Sequence, residues 1–82
     1  MSLELLDQIR QIAADTFNEE LENVTALSTP DTLANWDSLT HLNFLLAMEQ
    51  SFGCEFEPEE GERAGHSIAE ALDVVQKKLG RS

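Results

Sequence analysis

The stretch Trp36-Asp37-Ser38-Leu39-Thr40-His41-Leu42-Asn43-Phe44-Leu45-Leu46-Ala47-Met48-Glu49-Gln50-Ser51-Phe52-Gly53 decides how this chain is read. Leu39, Leu42, Phe44, Leu45, Leu46, Met48 and Phe52 supply a helix's apolar content, and Asp37 and Ser38 are both good N-cap types. Gly53 is a stop, because glycine accepts the left-handed conformation without strain. The stretch therefore predicts a helix from Asp37 or Ser38 to about Phe52. A hydroxyl at such a helix start sits beside unpaired backbone N–H groups and the positive end of the dipole, a place that favours an anion. Leu39, Leu42, Leu45, Leu46 and Phe52 cannot all face one narrow core seam, so part of this apolar surface is expected to be left for a partner or an attached cargo.

Working outward, Leu3, Leu6, Ile9, Ile12, Ala13 and Phe17 recur at three- and four-residue spacing and predict a first helix over roughly 3–18, with Asp7, Gln8, Arg10, Gln11 and Asp15 on its other side. From Leu21 to Trp36 the periodicity fades around the turn cluster Ser28-Thr29-Pro30-Asp31. Leu21, Val24, Leu27, Leu33 and Trp36 are apolar, so this long connection is expected to lie across the bundle and help close the core. Glu55, Glu57, Glu59, Glu60 and Glu62 gather around Pro58 and Gly61, predicting at most a short helical turn with Pro58 near its first position. Ser67-Ile68-Ala69-Glu70 matches a capping box and opens a last helix with Ile68, Ala71, Leu72, Val75 and Leu79 on one face. Lys77 and Lys78 sit in its final turn, and Gly80 ends it. The expected class is all-α: a small four-helix bundle, three longer helices and one short, with a long first loop.

Eighty-two residues suit a single domain, and a 41% hydrophobic content predicts a folded globule. A chain of this size has a stability of roughly 4–12 kcal/mol at about 0.05–0.15 kcal/mol per residue. Sixteen acids against five bases give a net charge of -11. Such a surface repels nucleic acid and anionic membranes and attracts proteins with basic patches. No apolar run approaches the roughly 20 residues that span a bilayer, and Met1-Ser2-Leu3-Glu4 lacks a signal peptide's basic region. With the lone Cys54 unable to form an internal disulfide, a cytoplasmic monomer with a free thiol is the expectation.

The order Asp37-Ser38-Leu39, followed by an apolar helix, resembles the acyl and peptidyl carrier proteins. Ala47-Met48-Glu49-Gln50-Ser51-Phe52 resembles the family's Ala-Leu-Glu-Glu-x-Phe, and Phe56 with Pro58-Glu59-Glu60 resembles its next run. Ser67-Ile68-Ala69-Glu70-Ala71-Leu72 resembles the start of its last helix. The likeness spans 1–82 as one carrier domain. Trp36 looks closer to carriers of polyketide or peptide synthesis than to fatty-acid carriers. The resemblance implies a protein that catalyses nothing. It implies that Ser38 bears a 4′-phosphopantetheine arm, installed from coenzyme A by a phosphopantetheinyl transferase. The arm's thiol would hold acyl or aminoacyl groups as thioesters for loading and synthase enzymes of fatty-acid, polyketide or nonribosomal peptide type. Asp37 would help place the transferase's Mg²⁺ or touch the transferase, or serve as a plain N-cap. Leu39, Leu42, Leu46 and Glu49 would meet partners. Thr40, His41 and Asn43 stand where the family is often acidic, so docking through this helix should be more apolar.

Two readings of other classes compete. One is an unmodified acidic helical module that binds a basic protein. The other is a small enzyme using Cys54 with His41 or His66, but no orienting signature surrounds that cysteine. The two histidines lack paired metal-ligand spacing, and the acids of 55–62 lack a calcium loop's pattern. No metal is therefore expected.

Overall fold

The computed structural model describes residues 2–80, with side chains from residue 5 onward; Leu3, expected on the inner face of the first helix, lies outside the described side chains. Helix α1 spans Ser2–Phe17, α2 Ser38–Phe52, α3 Pro58–Ala64 and α4 Ile68–Lys78, with no strand among the described residues. A single 3-10 turn, Leu21–Asn23, interrupts the long first loop. The small all-α bundle read from the sequence is the fold observed.

Leu5, Ile9, Ala13, Ala14 and Phe17 of α1 cluster with Phe44 and Met48 of α2 and Ile68, Ala71 and Val75 of α4. Val74, not part of the predicted inner face, is also buried, whereas Leu72 and Leu79 sit only half-buried at the core's edge. Helix α1 ends where Asn18 turns left-handed (φ 55°), and the Glu19 amide closes back on Ala14. The Asn35 side-chain amide donates to the Phe17 carbonyl, satisfying one of the acceptors a helix end leaves open.

The loop does close the core, but through fewer residues than expected. Val24, Leu33 and Trp36 are buried, whereas Leu21 and Leu27 face solvent. Arg10, read as a polar-face residue, explains the difference: its guanidinium donates to the carbonyls of Val24 and Leu21, holding the 3-10 turn against α1 by its backbone. Midway along the loop, the Ile68 and Ala69 amides donate to the Ser28 and Ala26 carbonyls. Two of α4's first amides, which no helical carbonyl can reach, thus hold the loop in place.

Helix α3 is longer than the predicted turn. Pro58 occupies its first position, and the Glu60 carboxylate reaches back to the Glu57 amide at 2.7 Å. Gly61 lies within the helix, where a Cβ would come 3.0 Å from the Leu45 side chain of α2. The expected capping box of α4 is half-formed. Ser67 accepts from the Glu70 amide, but the Glu70 carboxylate is turned to Arg63 of α3. Arg63 also pairs with Asp73, Lys77 with Asp73 and Lys78 with Glu60, so a chain of ion pairs joins α3 to α4. The contact with Lys78 holds the Glu60 carboxyl below its ordinary value. Such half-exposed pairs contribute little individually.

Arg10, Arg63, Lys77 and Lys78 each face a carboxylate, so most of the acids repel one another uncompensated. Stability should rise as salt screens that repulsion. Thermal melts in about 0.01 M and about 0.15 M NaCl, where the screening length falls from roughly 30 to roughly 8 Å, should differ by a few degrees in favour of the higher salt. Millimolar Mg²⁺ should act the same way.

Candidate functional site

The first turn of α2 is built by Asp37. Its Oδ1 accepts from the Leu39 and Thr40 amides at 3.0 Å each, and its own amide donates to the Thr40 hydroxyl at 2.9 Å. This reciprocal cap, Asp37 with Thr40, was not read from the sequence, since threonine three residues after the cap is not the usual glutamate. Thr40 Oγ also donates to the Asn35 carbonyl, so the residue is committed to the turn. The bond from the Thr40 amide holds the Asp37 carboxyl below its ordinary value of 3.8. The anion-favouring amides expected at this helix start are therefore largely taken by the chain's own carboxylate: of the first three helical N–H groups, Asp37 satisfies those of residues 39 and 40.

Ser38 follows immediately and is exposed, one residue past the cap. It lies at the edge of an open cleft of about 330 Å³, lined by Pro30, Trp36, Asp37, His41, Glu62 and Gly65. Trp36, two residues earlier, is buried. Its ring stacks on Phe17 at 5.0 Å and meets Phe44 edge-on at 5.8 Å. The chain thus passes from core to solvent between Trp36 and Ser38.

Farther along α2, Leu39, Leu42 and Leu46 are 70%, 57% and 55% exposed, as expected for apolar residues that the core cannot take. Leu42 and Leu46 edge a second hollow of about 480 Å³ between α2 and α3, with Leu45, Phe56, Pro58 and Gly61. Glu49 borders the same hollow, and its Oε2 accepts the Phe56 amide at 2.7 Å. One oxygen of this docking candidate is thereby committed to holding the turn after α2.

His41 differs from its sequence reading. Rather than presenting a non-acidic surface to a partner, it is turned inward and half-buried. The Trp36 indole N–H donates to His41 Nδ1 at 3.1 Å, and His41 Nε2 lies 2.8 Å from the Gly61 carbonyl. Trp36 can only donate, so Nδ1 accepts and Nε2 carries the proton given to Gly61. Gly65 is needed beside it, because a Cβ there would lie 3.0 Å from Nε2. No periodicity could have revealed a bridge between three segments.

The other chemistries find no support in the geometry. Burial pushes the Cys54 thiol up, and Glu49 adds to the shift, the opposite of what activates a nucleophile. His66 is exposed in a different segment from His41. Among the described residues no three His, Cys, Asp or Glu side chains gather as a metal site, and no helix is long and apolar enough to cross a membrane.

No established family profile matches the chain. Curated proteins do. It is 29% identical over 76 residues to an acyl carrier protein of Thermosynechococcus vestitus, covering 93% of each chain. It is 28% identical over 75 residues to an acyl carrier protein of Coprothermobacter proteolyticus, covering 92% of this chain and 90% of that one. The solved acyl carrier protein of Enterococcus faecalis superposes with a TM-score of 0.72 at 29% identity, covering 100% of this chain and 99% of the other. Likeness in sequence over nine-tenths of the length, joined to likeness in fold over all of it, makes this chain similar to the acyl carrier proteins and supports kinship with them.

Proposed function

We propose that Ser38 is the attachment point of a 4′-phosphopantetheine arm and that the protein, itself no enzyme, carries acyl or aminoacyl intermediates. The observation that supports this reading is the exposed Ser38 at the first turn of α2, beside an open cleft. Among the described residues Ser38 is exposed to an approaching phosphoryl donor, and the cleft of about 330 Å³ has room for a phosphodiester. In the modification, the Ser38 oxygen forms a bond to phosphorus while the pyrophosphate bond of coenzyme A breaks, on a transferase that supplies Mg²⁺. The arm contributes a thiol that holds the cargo as a thioester. The chain contributes position: Asp37 stiffens the turn, and Trp36 anchors the loop behind it. Tethering then raises the cargo's effective concentration at each enzyme.

Leu39, Leu42 and Leu46 form the docking surface beside the arm, with Glu49 at its far end. Partner enzymes would meet more apolar area and less charge on α2 than an acid-rich helix offers, so their association should be less salt-sensitive. The partners are a phosphopantetheinyl transferase and the loading and synthase enzymes of fatty-acid, polyketide or peptide-type assembly. The setting is a cytoplasmic monomer, and residues 1–82 act as one carrier domain.

Incubation with coenzyme A and a promiscuous transferase should add one phosphopantetheine mass to the intact protein and none to Ser38→Ala. An unmodified wild-type protein across several active transferases would instead favour a plain interaction module, whose partner binding Ser38→Ala would leave unchanged. Asp37 has two separable roles. Asp37→Ala should lower the melting temperature by several degrees (roughly 4–8 °C), and Asp37→Asn, which keeps a cap acceptor, by much less. If Asp37 also contacts the transferase or its Mg²⁺, Asp37→Asn will fold well yet be modified more slowly. The cap's charge contributes stability above the ordinary pKa of 3.8 and loses it as pH falls through the lowered folded value. Melts below pH 4 should therefore be less steep in pH for Asp37→Asn than for wild type.

A further inference from the structure

His41 borders both hollows described above, the Ser38 cleft and the leucine-edged groove. Its imidazole stands between them. On one side it accepts from Trp36, which is fixed in the core; on the other it donates to Gly61 in α3. Gly61 has an available carbonyl because the Gly65 amide turns to Glu62 instead. Helix α3 packs along α4, with Ala64 in the shared core and ion pairs at the surface. Toward α2 it is held by His41 and by Leu45 against Gly61.

From this we infer that His41 is a positioning residue: a latch that closes α3 onto α2 and separates the Ser38 cleft from the apolar groove. The latch requires the neutral ring with its proton on Nε2. A proton added at Nδ1 would face the Trp36 N–H, donor against donor, so the ring must turn away from the indole and lose its aim at the Gly61 carbonyl, parting the bridge from the core to α3. The carboxylates around the ring are Asp37 at the start of α2, Glu62 of α3, and Glu49 and Glu57 along the groove. With the latch released, α3 swings on its α4 contacts and the groove opens toward Ser38. The consequence for cargo, that His41 governs its passage from the cleft into the groove, rests on the carrier reading of Ser38; the latch does not.

The test uses the unmodified, ¹⁵N-labelled protein, so its outcome is independent of whether Ser38 can be modified. In a His66→Gln background, which leaves His41 as the one imidazole, the Trp36 indole N–H signal should shift with the same midpoint as the His41 ring. Across that transition, amide protection in α3 should fall about tenfold while α1 stays within about twofold. At neutral pH, His41→Ala should reproduce the loss in α3 and raise uptake of the neutral apolar dye Nile red. His41→Gln, whose side-chain amide can still donate to Gly61, should restore protection without the pH dependence. Trp36→Phe, which keeps the ring stacking, should abolish the pH dependence as well. An indole signal blind to the His41 titration, or a His41→Ala variant that loses protection equally in all four helices, would overturn the latch.

Discussion

The burial of Trp36 against Phe17 and Phe44 is the constraint on which the rest of this structure hangs. It fixes where the first loop ends and so where α2 must begin. With the indole held in the core, the next residue is obliged to turn outward, and Asp37 meets that demand by capping the helix with its own carboxylate. Ser38 is then exposed by construction. Aromatic packing of this kind adds about 0.5–1.5 kcal/mol per ring pair beyond burial alone. The same indole supplies the only kind of hydrogen bond it can, a donor, and thereby sets the tautomer of His41.

Helix α3 is held by two unlike sets of forces. Toward α4 there are half-exposed ion pairs, weak individually and weakened further by salt. Toward α2 there are uncharged contacts, a histidine on a carbonyl and a leucine on a glycine, which salt does not screen. Added salt thus strengthens the bundle as a whole by muting its acidic self-repulsion while loosening one attachment of its smallest helix. The arrangement suits a fold in which three helices form the frame and the fourth is adjustable.

Much of this was legible in the sequence. The spacing of Leu6, Ile9, Ala13 and Phe17, and of Ile68, Ala71 and Val75, gave the framing helices, because a helix face repeats and repetition survives in one dimension. Asp37, Ser38 and Gly53 marked the bounds of α2 by their local backbone preferences. That part of α2's apolar surface stays exposed followed from counting more apolar residues than one seam can hold, though the count did not single out Leu39, Leu42 and Leu46. What stayed hidden was every device that joins distant segments. Arg10 looked like a surface residue until its guanidinium met two loop carbonyls. Thr40 and His41 looked like missing acids and are instead cap and bridge. Leu21 and Leu27 looked like core because hydropathy cannot tell which end of a loop is pinned by its side chains and which by its backbone.

That backbone pinning has a consequence for how the loop tolerates change. Ala26 and Ser28 are fastened to α4 through their carbonyls, with Leu27 projecting between them at 84% exposure. The segment is a ruler more than a recognition element: its span from the Arg10 clasp to the indole is measured out by bonds that do not read side-chain identity. Replacing Leu27 with a polar residue leaves both fastenings intact, whereas removing a single residue there breaks them together and drags the indole out of register. For this connection, length is the conserved quantity that physics would enforce, and composition is comparatively free.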